Sequence, residues 1–127
     1  MKDFKYKLKM DAEIEDVWRA FTSAASMELW TGYPAIFEAK PESEFELWEG
    51  DITGKVIEVE EYKKIVEQWY FDEQEKPSIA TIKFFQEKNK IKVELYHENI
   101  PDDAFDNITE GWVEYYFKAI KEFVEVE

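Results

Sequence analysis

The sequence predicts an α+β fold in which a curved antiparallel sheet wraps a long C-terminal helix, with two short helices after the first strand. Three observations carry that prediction. Placed at about 100° per residue, Trp112, Val113, Tyr116, Phe117, Ile120, Phe123 and Val124 fall on one side of a helix, with Tyr115 and Ala119 just across its edge. Glu110, Glu114, Lys118, Lys121, Glu122 and Glu125 take the remaining arc. An apolar arc of about 200° is wider than the stripe of a surface helix, so the helix needs a groove that touches it from below and from both flanks. The second observation is a series of strand-like runs separated only by turns, which makes neighbours antiparallel. The third is a switch of period, from two at the N-terminus to three-point-six and back.

Taken in order, Phe4, Tyr6, Leu8 and Met10 alternate with Lys5, Lys7 and Lys9, the pattern of a strand wet on one face. Asp11 stands where an N-cap is wanted, and Ile14, Val17, Trp18 and Phe21 follow at i, i+3, i+4 and i+7, with Glu13 and Glu15 near the positive end. A second short helix is expected over residues 24–30, broken by Thr31-Gly32-Tyr33-Pro34. Strands are expected over residues 43–48, 52–59, 63–71, 78–86 and 90–99, with a weaker one at 35–39, giving about six or seven in all. Glu49-Gly50-Asp51, Glu60-Glu61-Tyr62, Gln74-Glu75-Lys76-Pro77 and Glu87-Lys88-Asn89 supply the turns. Asn107-Ile108-Thr109-Glu110 has the form of a capping box and is expected to start the final helix. With no repeat, low-complexity stretch or linker, residues 1–127 read as a single domain.

Composition removes several function classes. Thirty Asp and Glu against sixteen Lys and Arg leave a net charge of −14, and no segment collects enough basic residues to offset that field near a polyanion. Nucleic acid and anionic membrane surfaces are therefore not expected partners. The absence of cysteine excludes disulfides, thiol nucleophiles and cysteine metal sites, and a single histidine excludes multi-histidine ones. No phosphate loop, dinucleotide fingerprint or nucleophile elbow occurs. No catalytic residue, metal or cofactor is expected. The N-terminus is not followed by an apolar run of signal or membrane length, so the expected setting is the cytoplasm.

Three stretches carry a family likeness: Phe45-Glu46-Leu47-Trp48-Glu49-Gly50-Asp51-Ile52-Thr53-Gly54-Lys55, Ile65-Val66-Glu67-Gln68-Trp69, and Gly111-Trp112 followed by Tyr115-Tyr116-Phe117 and Ile120-Lys121. Together they resemble the activator of heat-shock protein 90 ATPase homologue family, within the START-like, or SRPBCC, superfamily. The resemblance spans roughly residues 10–124 and looks most like the C-terminal domain of the eukaryotic co-chaperone. A counterpart of that protein's separate N-terminal domain is not expected. Pro41-Glu42-Ser43-Glu44 departs from the glycine pair that many stand-alone relatives carry there. The resemblance implies a helix-grip fold, often with a cavity between helix and sheet, and links the family to a chaperone ATPase.

Strand alternation places the inward residues independently of the family. If Trp69 faces the helix, so do Ile65, Glu67 and Phe71; Ile91, Val93, Leu95 and His97 share one face of the last strand. Phe84-Phe85 leaves the phase of its strand open. An inward Glu67 must be paired, protonated or solvated, unless a twist lets it reach solvent at the rim. His97 reads as a hydrogen-bonded packing residue rather than a base. Tyr116 is central to the apolar arc, and a buried hydroxyl there needs a partner. Two functions follow as expectations. One is binding of a small apolar or amphipathic molecule between helix and sheet, lined by Trp30, Phe45, Leu47, Trp69, Phe71, Trp112 and Tyr116 with Glu67 or His97 as polar anchors. The other is regulation of a chaperone or other protein through an uncovered apolar face around Trp30, Tyr33, Pro34 and Trp48.

Overall fold

The computed structural model describes residues 1–72 and 74–125. Strand β1 (Lys2–Met10) keeps the expected alternation: Phe4, Tyr6, Leu8 and Met10 turn to the core while Lys5, Lys7 and Lys9 stay exposed. Helix α1 (Ile14–Thr22) buries Ile14, Val17, Trp18 and Phe21 as their spacing requires. Asp11 does not cap it. The N-cap is Glu13, without a side-chain bond, and the Asp11 amide instead donates to Glu125 Oε2 at 2.7 Å, so a tertiary contact replaces the local one. Helix α2 (Ala24–Thr31) begins at Ser23, whose hydroxyl accepts from the Ser26 amide, and ends at Gly32 with φ 81°, a left-handed value that glycine takes without steric cost.

Strands β2 (Glu44–Leu47), β3 (Ile52–Glu60), β4 (Lys64–Trp69), β5 (Ser78–Glu87) and β6 (Lys90–Ile100) join β1 in one antiparallel sheet of order β1-β6-β5-β4-β3-β2. The weak strand expected at 35–39 reduces to a single bridge, Ile36 with Glu46, because the chain bends away over residues 39–42 and leaves β2 one partner residue on that side. Register settles the Phe84-Phe85 ambiguity: Phe84 pairs with Val93 and is buried, while Phe85 is exposed. Between β3 and β4, Val56 pairs with Glu67 and Glu58 with Val66, so Ile57 is the extra residue of a bulge that bends the sheet.

The C-terminal helix is α-helical over Phe105–Glu110, π-helical over Gly111–Phe117 and α-helical again over Lys118–Val124. The capping box expected at 107–110 is not one; those residues lie inside a helix that already begins at Phe105. Packing starts it early, since the Phe105 ring meets Phe4 edge-on at 6.4 Å and lies under the Lys2 ammonium at 5.0 Å. From there the helix runs beside β1: Phe117 meets Tyr6 at 5.3 Å, and Lys121 Nζ donates to the Lys9 carbonyl at 3.3 Å. Helix α1 and the C-terminal helix meet the same sheet face, through Trp18 and Phe21 on Phe84 at 5.1 and 5.4 Å and Trp112 on Trp69 at 4.6 Å, while α2 packs on the C-terminal helix through Trp30 on Tyr116 at 5.0 Å. Lys118 and Glu122 point to solvent, and Phe123 is half-buried against the core.

Candidate functional site

The π-helical segment decides what the helix presents to the sheet. Its i→i+5 spacing widens the turn, so Trp112, Tyr116 and Phe117 are all buried while Val113 is only half-buried and Tyr115 is 63% exposed. Trp112 stacks between Trp69 at 4.6 Å and Tyr116 at 4.5 Å. Each indole also holds a buried titratable group. Trp112 Nε1 donates to His97 Nδ1 at 2.9 Å, which requires that nitrogen to be unprotonated and puts the ring proton on Nε2. His97 Nε2 then donates to Ser78 Oγ at 2.8 Å, and the Ser78 hydroxyl donates to the Glu98 carbonyl at 3.1 Å. Every donor in that chain has an acceptor. Burial pushes the His97 pKa down to about 3, so the ring is neutral and both nitrogens are committed; it packs rather than acting as a base.

Glu67 is different. It is fully buried on β4, its Oε1 accepts from Trp69 Nε1 at 3.0 Å, and its Oε2 has no partner among the described residues. Burial raises its pKa to about 7, against a smaller lowering by the Trp69 bond. The Tyr116 hydroxyl, also buried and without a partner among the described residues, is pushed well above the usual phenol range by burial and by the charge of Glu67. Two buried oxygens without a protein partner form a polar spot that a hydrogen-bonding group would relieve.

Beside this pair a groove of about 290 Å³ opens between the helix and the start of β3, lined by Trp48, Asp51, Ile52, Trp69, Asn107, Ile108, Gly111, Trp112, Tyr115 and Tyr116. Its wall turns on three successive left-handed residues, Trp48, Glu49 and Gly50, with φ of 51°, 56° and 97°. Only the last takes that conformation without cost, and strain of this kind collects at functional sites. The turn lays Trp48 against Trp30 at 5.8 Å and Tyr116 at 6.0 Å.

Of the residues singled out from sequence, Trp69, Trp112 and Tyr116 line this groove; Glu67 and His97 lie behind the two indoles, in the core. Trp30 is tied by its Nε1 to the Ala20 carbonyl at 2.9 Å and packs on Tyr116. Phe45 and Leu47 are core residues of β2, Phe45 against Phe37 at 5.4 Å, and Phe71 is half-buried just past β4. Sequence reasoning missed Asp51, Ile52, Asn107, Ile108, Gly111 and Tyr115. The Trp-Glu-Gly-Asp turn before Ile52 was the one available signal. Of the face expected to be uncovered, Tyr33 and Pro34 are exposed, with Leu29 and Ile36 beside them, whereas Trp30 and Trp48 are half-buried because they pack on each other and on Tyr116.

The model of the family described as Activator of Hsp90 ATPase homolog 1-like protein matches residues 11–125, nearly the whole chain. The chain belongs to that family. Within it, the chain is 27% identical over 110 residues to the human activator of 90 kDa heat shock protein ATPase homolog 1, covering 85% of this chain and 32% of the relative. It is 25% identical over 114 residues to the Saccharomyces cerevisiae Hsp90 co-chaperone AHA1, covering 84% and 33%. The chain thus spans about a third of the length of the curated relatives it matches. Among solved structures, an HSP90 activator from Plasmodium falciparum superposes with a TM-score of 0.87 at 25% identity, covering 97% of this chain and 96% of that one. The Aha1 dimer from Colwellia psychrerythraea superposes at 0.86 with 16% identity, a likeness of fold. Membership in the activator family agrees with the helix-grip, START-like architecture described above. Among the described residues, no helix is long and apolar enough to cross a membrane.

Proposed function

We propose that residues 1–127 act as one START-like unit that regulates the ATPase of an Hsp90-type chaperone by protein contact, in the cytoplasm and without chemistry of its own. The observation that carries this reading is the superposition, over nearly the full length of both chains, on a protein described as an HSP90 activator. The groove supports it. Its volume of about 290 Å³ lies at the small end of ligand pockets (about 300–1,000 Å³), and its lining includes Tyr115 and Trp48, residue types that anchor protein interfaces, beside the apolar Ile52 and Ile108. Turnover of a purified Hsp90-type ATPase, with and without this protein, tests the reading. Stimulation that saturates, and that drops at least tenfold when Tyr115→Ala and Ile108→Glu are combined, is the expected result; neither stimulation nor association would sink it.

A second reading rests on Glu67 and Tyr116. A small apolar or amphipathic molecule that enters from the groove by displacing the Trp69 or Trp112 indole, with a polar group turned to the two buried oxygens, would satisfy both. Such a ligand should quench tryptophan fluorescence and raise the melting temperature. Tyr116→Phe should weaken binding with little loss of fold, and a broad screen of amphipathic compounds without a saturable shift would remove this reading.

A further inference from the structure

The outer face of the sheet, on the side away from the groove, carries a charge pattern that the function above leaves unused. The chain has a net charge of −14, yet Lys5, Lys7 and Lys9 of β1, Lys92 of β6, Lys83 of β5 and Lys64 of β4 all stand on this one face. Register makes them contiguous: Lys7 pairs with Glu94, Glu94 with Lys83 and Lys83 with Lys64, while Lys9 pairs with Lys92. Three carboxylates answer them. Glu87 pairs with Lys9 and Lys92 at 3.2 and 3.4 Å, Glu94 with Lys92 at 3.3 Å, and Glu58 with Lys64 at 2.6 Å. Glu94 is therefore drawn to Lys92, and among the described residues Lys5, Lys7 and Lys83 make no ion pair. Those three, with Thr81, Tyr96 and Glu94, border a shallow hollow of about 810 Å³, and Lys5 Nζ lies over the Tyr96 ring at 5.2 Å.

We infer that this face docks an acidic polypeptide segment in extended conformation. Alternate residues of a strand stand about 7 Å apart, so Lys5, Lys7 and Lys9 form a row with the interval at which an extended chain projects every second carboxylate. Lys83 extends the positive field across the neighbouring strands, and Tyr96, its ring under Lys5 and its hydroxyl donating to Asp3 Oδ2 at 3.0 Å, bounds the row at one end. Acidic polymers are repelled by the rest of the molecule. The field therefore gives orientation as well as attraction, and the bond it makes is salt-dependent. The groove lies on the other face, so both surfaces can be occupied at once.

Fluorescence anisotropy with a labelled peptide of alternating glutamate and serine tests this on the whole protein. Saturable binding is expected, weakening at least tenfold between about 50 and about 200 mM salt. Combining Lys5→Glu, Lys7→Glu and Lys83→Glu should weaken it at least tenfold, while Lys40→Glu, Lys76→Glu and Lys118→Glu, which change the net charge equally, should leave it within about twofold. If the first triple variant fails to fold by circular dichroism, Lys7→Gln and Lys83→Gln separately carry the test, each expected to weaken binding about twofold or more. No saturable binding, equal loss in both triple variants, or tighter binding of duplex DNA of similar length would each overturn the proposal.

Discussion

Glu67 and His97 hang from the same pair of stacked indoles but respond to pH in opposite senses. Glu67 titrates near 7 in the fold against an ordinary 4.5, so between those values the folded state holds its proton more tightly; stability falls as pH rises through that window and levels above it. His97 titrates near 3 against 6.5, so the unfolded state takes up the proton first, and stability falls as pH drops from about 6.5 toward 3. Glu67→Gln keeps an acceptor for Trp69 and removes the charge. The variant should be more stable than the parent by roughly 1–3 kcal/mol near pH 8, with the gap closing by about pH 4. Urea midpoints at the two pH values decide it; an equal gap at both would mean that ionisation of Glu67 costs nothing. Trp112→Ala removes the centre of the ring stack and the donor to His97 together, and a loss of about 3–5 kcal/mol is expected in the same titration.

At the scale of elements, the sheet is closest to its limit where β2, β3 and β4 meet. Gly54 on β3 pairs with Phe45 and Trp69, and a Cβ there would lie 2.0 Å from the Gln68 carbonyl oxygen and 2.8 Å from Phe45 Cζ. The first contact is with backbone and cannot be relieved by a rotamer change. Gly54→Ala should therefore cost about 2 kcal/mol or more, above the usual range for a surface strand substitution. Gly111→Ala, where an added Cβ meets nothing within 4 Å, should be neutral or mildly stabilising. Thermal melts of the two variants side by side test the contrast, and equal shifts would remove the argument from close strand approach.

Across the whole molecule, the charge of −14 works against compactness. Most of the ion pairs involve exposed side chains, such as Lys118 with Glu114 and Lys40 with Glu38, and pairs of that kind contribute about 0–1 kcal/mol each. Self-repulsion should outweigh them. The melting temperature is expected to rise by a few degrees as salt goes from about 10 to about 200 mM, where screening reaches down to roughly 8 Å. A fall over that range would show that the ion pairs dominate.

The α+β class, the long helix and the inward set Ile65, Glu67, Trp69, His97 and Trp112 were legible from period alone, because a strand alternates and a helix repeats whatever it packs against. Boundaries were less so. Asp11 and Asn107 have the chemistry of caps, but Glu125 captures the Asp11 amide and Phe4 draws Phe105 into the helix, contacts made by residues far apart in sequence. The groove was legible only in its floor. Trp69, Trp112 and Tyr116 follow from alternation and the helix arc, whereas Tyr115 and Trp48 reach it through the π-helical turn and three left-handed residues, which no hydrophobic period encodes. Which buried oxygens go unpartnered was likewise settled by tertiary structure, since Trp69 satisfies one oxygen of Glu67 and none of the described residues bonds the other.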